Sequence, residues 1–314
     1  MNKKYLELLK KNYPTRSELM DELISLNSKL YLPKGTEYFF SDLHGEAKAF
    51  IHLLRSASGN IRDKTSQYFG DTLVKKDQDD LANLIYDPEK VMQKLKEEDL
   101  IDDDWYTITI HRLVNLFRFV STKYPKTKVK EKFPSSYSEI IDELLYTNDA
   151  EFNKKLYYEK IIENIIKYKS CDEFIIMLSY LIQRVSVDEL HIVGDIYDRG
   201  PSPHLIMEEL INFPSVDIQW GNHDIGWMGA ACGNEALVAS SMCNALQYNH
   251  FDFLEEGYGL NLRPLYEFAV KTYRDDPCER FMPRIYEENI YDKINKDVAA
   301  KMFKAMSIIR FKLD

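Results

Sequence analysis

The chain has 314 residues, of which 45% are hydrophobic, and its formal net charge at pH 7 is −10. With a pI near 5.3 and no run of five basic residues, it lacks the electrostatic footprint of nucleic-acid binding, which excludes that class of partner. The first residues form no apolar signal core and no window of 18 residues is uncharged and apolar, so we expect a cytoplasmic protein without a membrane partner. Four cysteines without a CxxC pair fit free thiols.

The first predicted elements are a helix and a short strand. Thr15 and Glu18 have the spacing of a capping box, and apolar residues follow them at helical intervals. The aromatic run Tyr38–Phe40 then stops at Ser41 and Asp42, which is the length and composition of a buried strand. We expect the segment after Gly45 to be helical.

Residues 56–186 show a mostly helical pattern with no clear chemistry. Leu113, Leu116, Phe117 and Val120 recur at i, i+3, i+4 and i+7, as on the buried face of a helix. Three adjoining aspartates at 102–104 are expected to form a solvated loop. We interpret this stretch as a helical insertion that either caps the functional site or builds an oligomer interface.

Two further strands are predicted at Leu190–Val193 and Val216–Trp220, with a helix between them at residues 203–212. A glycine and a polar residue follow each of these strands, as Gly194-Asp195 and Gly221-Asn222. Ligand sites of open α/β sheets lie at the carboxyl ends of the strands. The sequence therefore predicts an α/β fold with its functional site at that edge, divided into residues 1–55, 56–186 and 187–314.

The residue types at these strand ends predict a pair of metal ions. Asp42 and His44, two positions apart, can face one cation, and mixed oxygen and nitrogen ligands suit Mn, Fe, Zn or Co. Asp195 is placed to bridge two cations, and Asn222 offers an amide oxygen to the second. Two such ions can acidify a shared water and neutralise charge on a phosphoryl group. We therefore predict hydrolysis of a phosphate ester.

Three neighbouring residues are predicted to assist this chemistry. His223, expected in an extended segment and pointing away from the metals, could protonate the leaving alkoxide. Asp198 could hold the imidazole of His223, and Arg199 presents a planar fork for phosphate oxygens.

Taken singly, each block has an ordinary explanation, such as a polar turn or a surface histidine. The three blocks in this order, each after a strand, favour a metal site. Outside these blocks, His191 and His52 are expected to be structural. The other three histidines are undecided between roles, and contact with solvent or packing is favoured for them: His111, His204 and His250.

The three blocks resemble the signature of the calcineurin-like metallophosphoesterases. They are Asp42-x-His44-Gly45, Gly194-Asp195-x-x-Asp198-Arg199 and Gly221-Asn222-His223-Asp224. The long insertion, Asp217–Asp224 and Tyr258–Leu265 are further similar to the bacterial class III fructose-1,6-bisphosphatases, a resemblance that covers nearly the whole chain.

This resemblance implies a four-layer α/β/β/α core and hydrolysis of the 1-phosphate of fructose 1,6-bisphosphate in gluconeogenesis, usually with manganese. It also implies the role of each site residue. Asp42, His44 and Asp195 would hold one ion, and Asp195 with Asn222 the other. The leaving group would be assisted by His223 with Asp198, and phosphate would meet Arg199.

The sequence departs from the family pattern in its later part. The family completes its metal coordination with later histidines, typically in a Gly-His-x-His block, whereas His250 is the only histidine after His223. The sequence stops at Asp314, and class III enzymes are considerably longer. We therefore expect a partial core, an amino-terminal portion of such an enzyme whose activity alone is in question. Its expected partner is a second copy or a complementing C-terminal portion.

Two alternative functions remain open at this point. The Gly-Asp-x-x-Asp-Arg-Gly and Gly-Asn-His blocks also suit a phosphoprotein phosphatase of the same superfamily. A catalytically inactive structural or regulatory fragment is the other alternative.

Overall fold

The structure, a computed structural model, describes residues 3–146, 152–285 and 295–313. The chain divides into two compact units, one formed by Met1–Thr36 and Gly59–Ser186 and the other by Glu37–Ser58 and Val187–Asp314. Among the described residues, no helix has both the length and the apolar character needed to cross a bilayer.

Helices dominate the described residues, where three short strands interrupt them. In chain order the elements are α1 (Lys3–Asn12), α2 (Arg16–Lys29), β1 (Glu37–Ser41), α3 (Ala47–Arg55), α4 (Asn60–Phe69), α5 (Lys75–Tyr86), α6 (Pro88–Glu97), α7 (Asp103–Ser121), α8 (Lys126–Glu131), α9 (Ser138–Tyr146), α10 (Phe152–Lys167), α11 (Cys171–Ser186), β2 (Glu189–Val193), α12 (Pro203–Asn212), β3 (Val216–Gln219), α13 (Asn222–Ala231), α14 (Glu235–Gln247), α15 (Arg263–Thr272) and α16 (Lys296–Leu313). One-turn segments complete the description: the 3-10 turns Ala57–Gly59, Gly70–Thr72 and Glu279–Phe281, and the π-helical turn Phe253–Gly257.

The helical unit contains the two helices whose patterns were clearest in the sequence. At the start of α2, Thr15 Oγ1 accepts from the backbone N–H of Glu18, whose carboxylate accepts from the N–H of Thr15, so the predicted capping box is confirmed. The four apolar residues at helical spacing in α7 are all buried, and this face packs on α11.

The expected loop at residues 102–104 is wrong. Asp102 is the N-cap of α7 and accepts from the N–H of Trp105 at 2.7 Å, while Asp103 and Asp104 lie in the first helical turn. Carboxylates stabilise this end of a helix because they satisfy its unpaired N–H groups and oppose the positive end of its dipole. The acidic run at residues 102–104 is therefore the start of α7.

The other unit is built on a parallel sheet with the order β1-β2-β3. Phe40, Ile192 and Ile218 are partners across the three strands. The strands predicted from sequence are confirmed to within one residue at each end, and the predicted helix at 203–212 is α12. The α/β class is confirmed by this combination of helices and a parallel sheet.

The two faces of the sheet differ in exposure. Leu190 and Ile192 are fully buried in a core that also contains residues of α3 and α12. On the opposite face, Phe39 is 66% exposed and Val193 is 50% exposed. Side chains alternate between the faces of a strand, so these observations define one covered face and one open face.

A second core of the same unit lies among its last helices. Leu246 of α14 and Met302 of α16 are buried in it, together with Phe251 and Ala269. α14 also packs on α13, which begins directly after β3, so this helical group continues from the end of the sheet.

Candidate metal centre

The candidate metal centre lies where the strands of the parallel sheet end. Asp42 and His44 follow β1, and Asp195 follows β2, its neighbour in the sheet. One ligand atom from each of these three side chains lies within 4.8 Å of the other two. The structure thus brings together three of the four residues that sequence reasoning assigned to metal.

The three ligand candidates sit on a constrained backbone. Asp42, His44 and Asp195 all have left-handed φ angles, of 54°, 44° and 55°. Such a conformation costs a residue other than glycine about 1–3 kcal/mol, so it persists only where the surroundings impose it. Hydrogen bonds between the two loops impose it here: the N–H of His44 donates to the carbonyl of Asp195, and the N–H of Gly45 donates to that of Ile196, both at 2.8 Å.

Glycines allow the loops to approach this closely. A Cβ atom on Gly200 would lie 2.0 Å from the carbonyl oxygen of His44, and one on Gly45 would lie 2.6 Å from the carbonyl oxygen of Gly200. A Cβ atom on Gly221 would lie 2.0 Å from Oδ1 of Asp195. These positions exclude any side chain, because the clashing atoms belong to the backbone or to a ligand candidate.

The donor atoms fit a divalent cation. Two carboxylates and one imidazole form a mixed oxygen and nitrogen set, and metal bonds of 2.0–2.2 Å put ligand atoms about 3–4 Å apart. His44 Nε2 lies 3.7 Å from Asp42 Oδ1. His44 Nδ1 is buried and makes no hydrogen bond to a described residue, although Asp198 Oδ2 is 3.4 Å away. The residues present therefore suit an ion held on the Nε2 side of the ring.

Asp198 lies between two imidazole rings. Its Oδ2 is 3.4 Å from His44 Nδ1, and its Oδ1 is 3.4 Å from His223 Nδ1. The Asp198 side chain is only 10% exposed, so its charge is screened less than that of a surface carboxylate. The structure thus places Asp198 beside the Nδ1 edge of His223.

The expectation of an extended segment at His223 is wrong. His223 is the second residue of α13, because Asp224 caps this helix: its Oδ2 accepts from the N–H of Gly221 at 2.8 Å. The first N–H groups of a helix have no partner within it, and here the backbone N–H of His223 donates to Asp195 Oδ1 at 3.2 Å. This bond orients the carboxylate predicted to bridge two metals.

The remaining two predicted residues are exposed at the rim. Arg199 has a half-exposed side chain whose Nε lies 3.6 Å from Asp198 Oδ2. Asn222 is the first residue of α13 and is exposed next to His223. Both side chains can be reached by a ligand from solvent.

Three residues that support the site were not identified from the sequence. Besides capping α13, Asp224 accepts from the N–H of Tyr197 at 3.0 Å, and its place three residues after Gly221 was a usable capping signal. Asn244 donates to the carbonyl of Asp198 at 3.3 Å, and His250 Nε2 donates to the carbonyl of Arg199 at 2.6 Å.

His250 is 3% exposed, and burial lowers its pKa. The neutral ring still has the N–H that holds the Arg199 carbonyl, so this histidine has a positioning role and needs no charge.

A family model described as Firmicute fructose-1,6-bisphosphatase matches residues 4–314. Class 3 fructose-1,6-bisphosphatases from Clostridium beijerinckii and Bacteroides thetaiotaomicron are 48% and 47% identical to this chain over 314 residues, and the one from Alkaliphilus metalliredigens is 46% identical over 311 residues. These alignments cover 99–100% of this chain and 47% of each relative. No solved structure matches.

The chain thus spans about half the length of the curated relatives it matches, which agrees with the expectation that it corresponds to a portion of such an enzyme.

Gly200→Ala tests whether the close approach of the two loops creates the site. The added Cβ would meet the His44 carbonyl, so we expect a loss of about 1–3 kcal/mol in unfolding free energy and at least a tenfold weaker binding of Mn²⁺. Urea titration and isothermal calorimetry measure the two effects.

The matched control is Gly226→Ala within α13, where the nearest atom to the new Cβ is 3.4 Å away. This variant should leave the unfolding free energy unchanged or raise it by up to about 1 kcal/mol. Unchanged Mn²⁺ affinity in the Gly200 variant would contradict the role given to this contact.

Proposed function

Because this chain belongs to the Firmicute fructose-1,6-bisphosphatase family, we propose that it is a metal-dependent phosphatase that hydrolyses fructose 1,6-bisphosphate to fructose 6-phosphate and phosphate. The observation that carries the proposal is the cluster of Asp42, His44 and Asp195 at the edge of the sheet. The names of the relatives favour a sugar bisphosphate over a phosphoprotein as the substrate.

Four residues would hold the metal ions. Asp42, His44 and Asp195 would bind one cation, and Asp195 would share the second with Asn222. When bound, a pair of divalent cations supplies Lewis acidity, which acidifies a water molecule and offsets negative charge on the phosphoryl group. Manganese is the first ion to test, since the set contains mainly oxygen donors and one imidazole.

His223, Asp198 and Arg199 would carry out the remaining steps. Arg199 would pair its guanidinium with phosphoryl oxygens and orient the group for attack. As water adds to phosphorus, the bond from phosphorus to the C1 oxygen of the sugar breaks. His223 Nε2 would give its proton to that oxygen, while Asp198, whose Oδ1 lies 3.4 Å from Nδ1, would hold the ring in place.

Asp195→Asn tests the bridging assignment. Asparagine has nearly the size of aspartate and also tolerates the left-handed φ of this position. It lacks the negative charge that the two ions would share. We expect metal content after dialysis against Mn²⁺ to fall from two ions per chain to less than one, as measured by mass spectrometry of the metal. Asp217→Asn, an exposed aspartate on β3, is the control. Full metal content in Asp195→Asn would refute the bridging role.

His223→Ala tests both the reaction and the general acid. With Mn²⁺ and fructose 1,6-bisphosphate, phosphate release should slow by roughly 10²–10⁴, the usual contribution of a positioned acid, while metal content stays unchanged. His52→Ala, at an exposed position of α3, should keep the wild-type rate.

The assay is run on the chain alone and with the unmatched part of the Clostridium beijerinckii relative added. Turnover of phosphopeptides but not of fructose 1,6-bisphosphate in both conditions would overturn the proposed substrate.

The open face of the sheet supports a further structural proposal. We propose that the sheet of β1, β2 and β3 belongs to a four-layer α/β/β/α core in which this face packs on a second sheet, and that residues 56–186 are an insertion into that core. The N-terminal helices belong to the same compact unit as the insertion. Phe39 stacks on His191 with ring centroids 4.5 Å apart, and Val193 adds a second apolar side chain. The unmatched half of the relatives is the expected source of the covering sheet.

Phe39→Asp tests what covers the open face. Since Phe39 is 66% exposed, we expect the unfolding free energy of this chain to change by less than about 1 kcal/mol. Binding of the unmatched part of the Clostridium beijerinckii relative, measured by calorimetry, should weaken at least tenfold. Ile211→Asp, 75% exposed on α12, is the matched control and should bind normally. Equal affinities for both variants would contradict the proposal.

A further inference from the structure

A cavity of about 480 Å³ opens beside the candidate metal centre. Sites for small molecules usually have volumes of roughly 300–1,000 Å³, so a sugar phosphate can be accommodated. The cavity lies among α13, α14 and α16, and the polar residues that line it include Asn222, His223, Asn244, Gln247, Ser307 and Arg310.

The position of His223 in the wall tells which part of a substrate would enter the cavity. A general acid must touch the oxygen of the leaving group, so the alcohol that carries this oxygen would lie on the same side of the phosphoryl group as the acid. His223 lines the cavity, whereas Asp42 and Asp195 do not. The cavity is therefore on the leaving-group side.

The charge of the cavity differs from that of the chain as a whole. The sequence has 51 acidic and 41 basic residues, yet none of the described residues that line the cavity is acidic, and Arg310 is among them. Burial raises the pKa of the Cys243 thiol in the same wall, and a hydrogen bond with Ser307 and the guanidinium of Arg310 partly offset that effect. Arg310 is exposed and lines the cavity, so its charge would favour an anion there.

Other side chains offer hydrogen bonds to hydroxyl groups. Ser241 is 6% exposed, and its Oγ has no hydrogen-bond partner among the described residues. Asn244 connects the wall to the loop after β2 through its bond to the Asp198 carbonyl. Trp227 and Phe303 add apolar surface of the kind that packs against the C–H face of a sugar.

We propose that this cavity binds the leaving group of the reaction, a polyhydroxylated carbon chain that ends in a second phosphate, and that Arg310 pairs with this distal phosphate. The proposal rests on the function proposed above and specifies the residues that would bind the part of the substrate beyond its scissile bond. Asn244 and Gln247 bind the sugar hydroxyls.

The test is the binding of fructose 6-phosphate to the whole chain, measured by calorimetry with and without Mn²⁺. Arg310→Ala should weaken binding on the order of 10–100-fold, the contribution of a charge-assisted hydrogen-bonded pair. Arg310→Lys should recover part of the affinity, because a lysine keeps the charge but not the planar fork. Lys312→Ala, an exposed residue two positions along α16, is the matched control and should bind as the wild type does.

Two further ligands identify the chemistry that is recognised. Fructose should bind weakly and equally to all variants, and inorganic phosphate should bind less tightly than fructose 6-phosphate. Inorganic phosphate that binds as tightly as fructose 6-phosphate would overturn the sugar phosphate as the ligand. The proposal would also be overturned if the wild type bound no fructose 6-phosphate, or if the Arg310 and Lys312 variants lost affinity equally.

The outcomes separate this proposal from the proposed function. Hydrolysis of fructose 1,6-bisphosphate with a KM unaffected by Arg310→Ala would keep the function and reject the cavity as its subsite. Arg310-dependent binding of fructose 6-phosphate by a chain that releases no phosphate from the bisphosphate would support the cavity and count against the function. Circular dichroism of each variant verifies that the fold is retained.

Discussion

The candidate metal centre depends on how closely the loops after β1 and β2 approach each other. Gly200 packs against the carbonyl of His44 at a distance that leaves no room for a Cβ atom, and two interloop hydrogen bonds of 2.8 Å lie beside this contact. The backbone hydrogen bonding between β1 and β2 thus continues into the loops that follow these strands. Since Asp42 and His44 come from one loop and Asp195 from the other, their convergence on one point follows from this backbone contact.

A second group of contacts joins the loop that follows β2 to the helices that follow the sheet. Asp224 connects the start of α13 to Tyr197, Asn244 holds the carbonyl of Asp198, and His250 holds that of Arg199. Each of these bonds uses a backbone group of the loop that follows β2. The loop is therefore fixed on one side by its neighbour after β1 and on the other by the helical core, as preorganised chemistry requires.

The sequence was sufficient for much of this arrangement, because local patterns determined it. Short apolar runs ending in Asp or Asn predicted the three strands, and parallel strands bring such ends to one edge. Contacts across long intervals could not be predicted: Asn244 and His250 lie 46 and 51 residues from the carbonyls they bind. The helical start at His223 was missed because the capping role of Asp224 was not used.

The left-handed backbone at the three metal-ligand candidates has a genetic consequence. Among residues other than glycine, aspartate, asparagine and histidine tolerate this conformation best. Aspartate and histidine codons each become an asparagine codon by a change of their first base. A single nucleotide substitution at position 42, 44 or 195 could thus remove a charge or an imidazole while the loop kept its shape. Loss of a candidate metal ligand and loss of the fold are therefore separable events in the evolution of such a chain.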